Sequence, residues 1–91
     1  MTDMAKLPFT PIELVAIDLS QNMRRRWQIT AYRDLFGQVM IETVWGRIGG
    51  QGRMLVRSFV DEAEALRYVR RLLARRARAI ARIGTAYRPT I

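Results

Sequence analysis

Hydrophobic and polar residues alternate along four stretches of the chain, and then the period changes. Residues 12–19 alternate moderately, with Leu14 and Ala16 on one side and Val15 and Ile17 on the other, as a short strand does. Residues 26–33 alternate better: Trp27, Ile29 and Ala31 share one face, and Gln28, Thr30 and Tyr32 share the other. Residues 38–45 form a third such stretch, with Val39, Ile41, Thr43 and Trp45 together, and residues 54–60 a fourth. Turn chemistry separates them. Ser20-Gln21-Asn22 ends the first strand, Asp34-Leu35-Phe36-Gly37 suits a hairpin, and Ile48-Gly49-Gly50-Gln51-Gly52 suits a second one, whose glycines supply positive φ.

After residue 60 the spacing becomes helical. Asp61 with Glu64 three residues on resembles a capping box, and Glu62 adds an acid where the helix dipole is positive. Leu66, Val69, Leu73, Ala77 and Ile80 then make an apolar stripe that runs to about Arg82 before Gly84 stops it. The pattern predicts an α+β fold: an antiparallel meander of four or five strands with one long helix packed on one face. The helix is expected to bury Leu66, Val69, Leu73 and Ile80. Residues 1–11, with Pro8 and Pro11 and no sustained period, read as a flexible N-terminal segment, and residues 12–91 as a single domain.

Composition narrows the chemistry. The chain has 91 residues and contains neither cysteine nor histidine. That removes disulfides, the usual zinc sites, thiol nucleophiles and histidine acid–base schemes. The eight carboxylates are scattered or clustered at the helix start, so paired-carboxylate catalysis is not suggested either. No enzyme activity, cofactor or metal is expected. No apolar run is long enough to span a bilayer, and the N-terminus lacks the pattern of a secretion signal. A cytoplasmic protein is expected, nucleoid-associated if it binds DNA. Sixteen basic residues against eight acids leave a net charge of +8, and fifteen of the sixteen are arginine. Such a domain attracts polyanions, nucleic acid first among them.

The stretch Trp45-Gly46-Arg47-Ile48-Gly49 carries the most information. An indole offers a flat face for a sugar or base, Gly46 permits close backbone approach, and Arg47 presents a fork of donors to phosphate oxygens. With Arg25-Arg26-Trp27 and Leu35-Phe36-Gly37 before it, and Gly52-Arg53, Phe59, Glu64-Ala65 and Tyr87 after it, the string resembles the signature of the WGR domain. That module gives poly(ADP-ribose) polymerases part of their DNA-break sensing and also occurs as small free-standing bacterial proteins. The resemblance implies that Trp45 packs on the sugar-phosphate at a DNA end and that Arg47, after Gly46, helps hold phosphate or an adjoining domain. It places Arg25 and Trp27 at the positions of a basic residue and an aromatic beside the DNA backbone. Arg53, nearby in the meander, joins the same expected patch. The C-terminus departs from the family, because Gly84-Thr85-Ala86-Tyr87 replaces a direct Gly-Tyr ending.

The helix carries a second basic surface. Arg67, Arg71, Arg75, Arg78 and Arg82 fall within about 80° on a helical wheel, and no acid follows Glu64. Arg71, Arg75 and Arg78 are its expected contacts, pointing away from the sheet and not necessarily contiguous with Trp45. Arg76 is the anomaly, since its wheel position lies inside the apolar stripe. Two readings stay open: a non-enzymatic module for DNA ends, nicks or exposed phosphates, and a protein-interaction module. In the second, the Trp45 surface docks a partner and the basic helix binds an acidic segment or a second copy. Membrane binding is not expected, because the helix's apolar stripe is needed to cover the sheet.

Overall fold

Period-two alternation becomes a five-stranded antiparallel sheet in the computed structural model, which describes residues 6–90. The strands are β1 (Ile12–Asp18), β2 (Met23–Arg33), β3 (Val39–Arg47), β4 (Arg53–Phe59) and β5 (Arg88–Pro89). Their spatial order is β4-β3-β2-β1-β5. The first four form the expected meander, and the C-terminal tail returns to lie along β1, pairing Leu14 with Pro89 and Val15 with Arg88. Two helices follow β4: α1 (Glu62–Ala77) and α2 (Ala79–Ile83). The fold is α+β. No helix among the described residues is long and apolar enough to cross a membrane.

One face of the sheet is covered and the other is open. Trp27, Ile29 and Ala31 of β2 and Val39 and Ile41 of β3 meet Ala65, Tyr68 and Val69 of α1 in a single core. Asp61 caps α1 as expected: its carboxylate accepts the Ala63 N–H at 2.9 Å. That bond satisfies one of the donors a helix start leaves unpaired. Burial of Val69 follows the predicted stripe, while Leu66 and Leu73 pack partly buried against the core.

The helix departs from expectation at its far end. It does not run unbroken to Arg82. Arg78 adopts φ −95° and ψ 16°, and its N–H turns back to the Arg75 and Arg76 carbonyls. The break re-aims the last turn, so that Ala79 is fully buried and Ile80, expected in the core, is 64% exposed. The Arg82 guanidinium donates to the Arg75 carbonyl at 2.9 Å, which places a cation at the negative end of α1.

At the other terminus, residues 1–5 of the expected flexible segment lie outside the described residues. Within the remainder, Leu7 is buried in the core, and the Ala31 N–H donates to the Pro8 carbonyl at 2.8 Å.

Candidate nucleic-acid interface

The end of the sheet where β2 begins and β3 finishes carries the arginines. Antiparallel register sets Trp27 opposite Trp45 and Arg25 opposite Arg47, all four on the face that the helices cover. Coverage stops short. Trp27 is 1% exposed and Trp45 36% exposed. Between this end of the sheet and the break in the helix lies a cavity of about 480 Å³. Trp45, Gly46, Arg47 and Arg25 line it, and so do Arg75, Arg76 and Arg82 from the helical side. Arg24, Arg26 and Tyr87 complete the ring of charge and aromatics, with Gln21, Asn22 and Met23 between them.

Seven of the thirteen lining residues are arginine, and none is a carboxylate. Cations placed directly opposite each other on a sheet, as Arg25 and Arg47 are, destabilise the pairing. No acid in the cavity relieves them, so the arrangement suits an anion from outside. It contains no ligand set for a cation.

Geometry fixes several of these side chains in advance. Arg47 donates to the Asn22 carbonyl and to Asn22 Oδ1, both at 3.2 Å, and Asn22 is held left-handed at φ 51°. Arg26 donates to the Gly50 carbonyl at 3.1 Å, bracing the β3–β4 hairpin from the next strand. Gly46 and Gly52 let that hairpin close. A Cβ on Gly46 would lie 2.9 Å from the Gly52 Cα, and one on Gly52 would lie 2.5 Å from the Trp45 carbonyl oxygen. The glycine of the Trp-Gly-Arg string is therefore required by its own hairpin.

Arg76 resolves the wheel anomaly. Its guanidinium lies 4.6 Å from the centroid of Trp27 and 5.7 Å from that of Tyr87, a cation between two aromatic faces. Its Nε is buried without a hydrogen-bond partner. Burial pushes its pKa down; Tyr87 acts in the opposite direction, and repulsion from Arg82 and Arg75 adds to the lowering.

Set against the sequence expectations, the cavity gathers Trp45, Gly46, Arg47 and Arg25, and draws Arg75 from the helix into the same wall. The two basic surfaces are thus contiguous at Arg75, where the stripe was expected to point away. Arg71 stacks over Tyr68 at 5.6 Å instead, and Arg78 occupies the helix break. Trp27 was expected among the contacts, but it is sealed beneath Arg76 and supports the cavity without lining it. Arg53 stands opposite Trp45 on β4 and outside the lining. Tyr87, to which the departing C-terminus assigned nothing, is part of the wall.

The family model for the WGR domain matches residues 11–80. An uncharacterized protein, y4dW of Sinorhizobium fredii (strain NBRC 101917 / NGR234), is 39% identical over 51 residues. The match covers 56% of this chain and only 25% of that protein, so the chain matches about a quarter of this curated relative's length. No solved structure matches.

Proposed function

Since the chain belongs to the WGR domain family, whose members are nucleic-acid-binding-type modules, we propose that it is a non-enzymatic module for DNA ends, nicks or other exposed phosphates. The observation that carries this reading is the arginine cavity beside Trp45. Arg25 faces Arg47, and Arg75, Arg76 and Arg82 approach from the helical side, with no carboxylate in the lining. Phosphates would offset the charge that this lining leaves unbalanced. Arg47, Arg25, Arg75 and Arg76 take phosphate oxygens, and Trp45 packs against the terminal sugar or base. Gly46 lets the strand come close, and Arg53 extends the charge on β4. Arg71 and Arg78 add non-specific attraction along the helix. Association with the nucleoid follows from such binding.

Fluorescence anisotropy tests this with matched duplexes bearing 5′-phosphate or 5′-hydroxyl ends and a closed circle as competitor. Neutralising about four phosphates gives a log–log salt slope near −3.6. The expected result is a preference for ends over the circle with a slope of that size. Equal competition by the closed circle removes end recognition, and binding that ignores salt removes the phosphate mechanism. The second outcome favours a protein partner, a reading supported by the exposure of Trp45 at the cavity.

A further inference from the structure

The two edges of the sheet are treated differently. Beyond β1, the strand β5 pairs with Leu14 and Val15, and the Thr90 N–H donates to the Glu13 carbonyl. Beyond β4 no strand pairs among the described residues. The seven residues Arg53–Phe59 therefore present a row of open backbone donors and acceptors.

Edges of this kind are normally blunted by proline, a bulge, brevity, cover or charged side chains. Of these β4 has only the charges of Arg53 and Arg57, which repel a like strand and admit an acidic one. β4 has no proline, and its register with β3 runs without interruption from Phe59 opposite Val39 to Arg53 opposite Trp45. Every residue from Arg53 to Ser58 is exposed. Met54 and Val56 project to the open side of the sheet, and Arg53, Leu55 and Arg57 to the helix side.

Charge selects the occupant. The strand carries two arginines and no acid. Arg57 lies 5.5 Å from the Tyr68 ring centroid and Arg71 of α1 lies 5.6 Å from it, so positive charge overhangs the helix side of the edge. A second copy of the chain would set these arginines against their own kind, +8 against +8. We propose that β4 accepts an extended segment of a partner protein as a sixth strand. Its pattern alternates, with carboxylates opposite Arg53 and Arg57 and apolar side chains against Met54 and Val56. Backbone hydrogen bonds give the affinity, and the alternation gives the choice of partner. This surface is separate from the cavity, whose lining includes no residue of β4.

A labelled peptide, Thr-Val-Glu-Val-Ile-Val-Glu, tests the proposal by anisotropy, together with hydrogen exchange of the β4 amides. The expected result is saturable binding, slowed exchange along β4, and a loss of about tenfold for Arg57→Gln, as for a charge pair at an interface. DNA binding by that variant, within about twofold of the parent, shows that it is folded. The same peptide N-methylated at alternate residues, made in both frames, should bind in one frame only, because a strand offers its partner every second amide. Equal binding of both methylated forms overturns the proposal. So does absence of binding near about 1 mM peptide, or exchange slowed around Trp45 instead of β4. Sedimentation showing a dimer of the chain alone, with its β4 amides already protected, overturns it in favour of self-pairing.

Discussion

Trp27 and Trp45 stand directly opposite each other on neighbouring strands, yet one is sealed and the other open. The difference lies in what covers them. Arg76 lies over Trp27, and beyond that point the cavity begins. Substitution should separate stability from binding. Trp27→Ala is expected to cost about 3–5 kcal/mol of stability, as truncating a buried aromatic does. Trp45→Ala should cost much less stability while weakening binding to DNA ends more than to closed duplex, since aromatic stacking is worth about 1–3 kcal/mol per base. Chemical denaturation and anisotropy on the same preparations measure both. Loss of stability at Trp45 with unchanged binding would refute the division.

Arg76→Leu tests the buried cation. The parent side chain is desolvated and its Nε has no partner, so an apolar replacement over Trp27 is expected to hold stability or raise it. Binding to DNA ends should fall about tenfold and the salt slope should flatten by about 0.9, the signature of one lost phosphate contact. A destabilised variant with full binding would make Arg76 a packing residue only.

The β3–β4 hairpin makes a steric prediction. Gly52→Ala drives a methyl to 2.5 Å from the Trp45 carbonyl and 2.8 Å from the Arg26 guanidinium. The strand must shift to admit it, at about 1–3 kcal/mol, the usual cost of overpacking. Gly50→Ala, where the closest neighbour is 3.6 Å away, should be tolerated. Thermal melts of the two variants compare them directly.

Asp18 supplies a pH test at the β1–β2 turn. Its carboxylate accepts from Ser20 Oγ at 2.6 Å and from Gln21 Nε2 at 2.6 Å. Those bonds, Ser20 first, lower its pKa below the ordinary 3.8. A pKa lowered by folding adds stability that is fully present above the unfolded value and disappears as pH falls through the folded one. Carboxyl NMR should therefore find a midpoint below 3.8, moving up toward that value in Ser20→Ala. A midpoint above 3.8 would mean the turn bonds do not persist in solution.

Alternation made β2 and β3 legible, because each has one face in the core and one outside. β4, exposed from Arg53 to Ser58, was legible from the glycine-rich turn that precedes it. Asp61 marked the helix start because a short carboxylate at that position answers a local need for an acceptor. The break at Arg78 was hidden, since no glycine or proline announces it. It is accompanied by Arg82 reaching back to the Arg75 carbonyl and by burial of Ala79 in place of Ile80, contacts that the helical period does not encode. Within the candidate site, Trp45 and Arg47 were readable from the Trp-Gly-Arg string and Arg25 from the basic flank before Trp27. The approach of Arg75 and Tyr87 was not, because the path of a helix and a tail across a sheet is decided by packing far along the chain. Arg76 gave the one usable hint, a charge at an apolar wheel position.

Like charges facing each other across β2 and β3 have a consequence for the lifetime of the protein. Should the cavity take an anion, as proposed, its charge would offset the repulsion between Arg25 and Arg47. A ligand held at a hundred times its Kd stabilises a folded chain by about 2.7 kcal/mol. Proteases act on the opened fraction, so molecules without a bound anion would be cleared faster than occupied ones. Bound anion would then protect the chain from proteolysis in proportion to its occupancy.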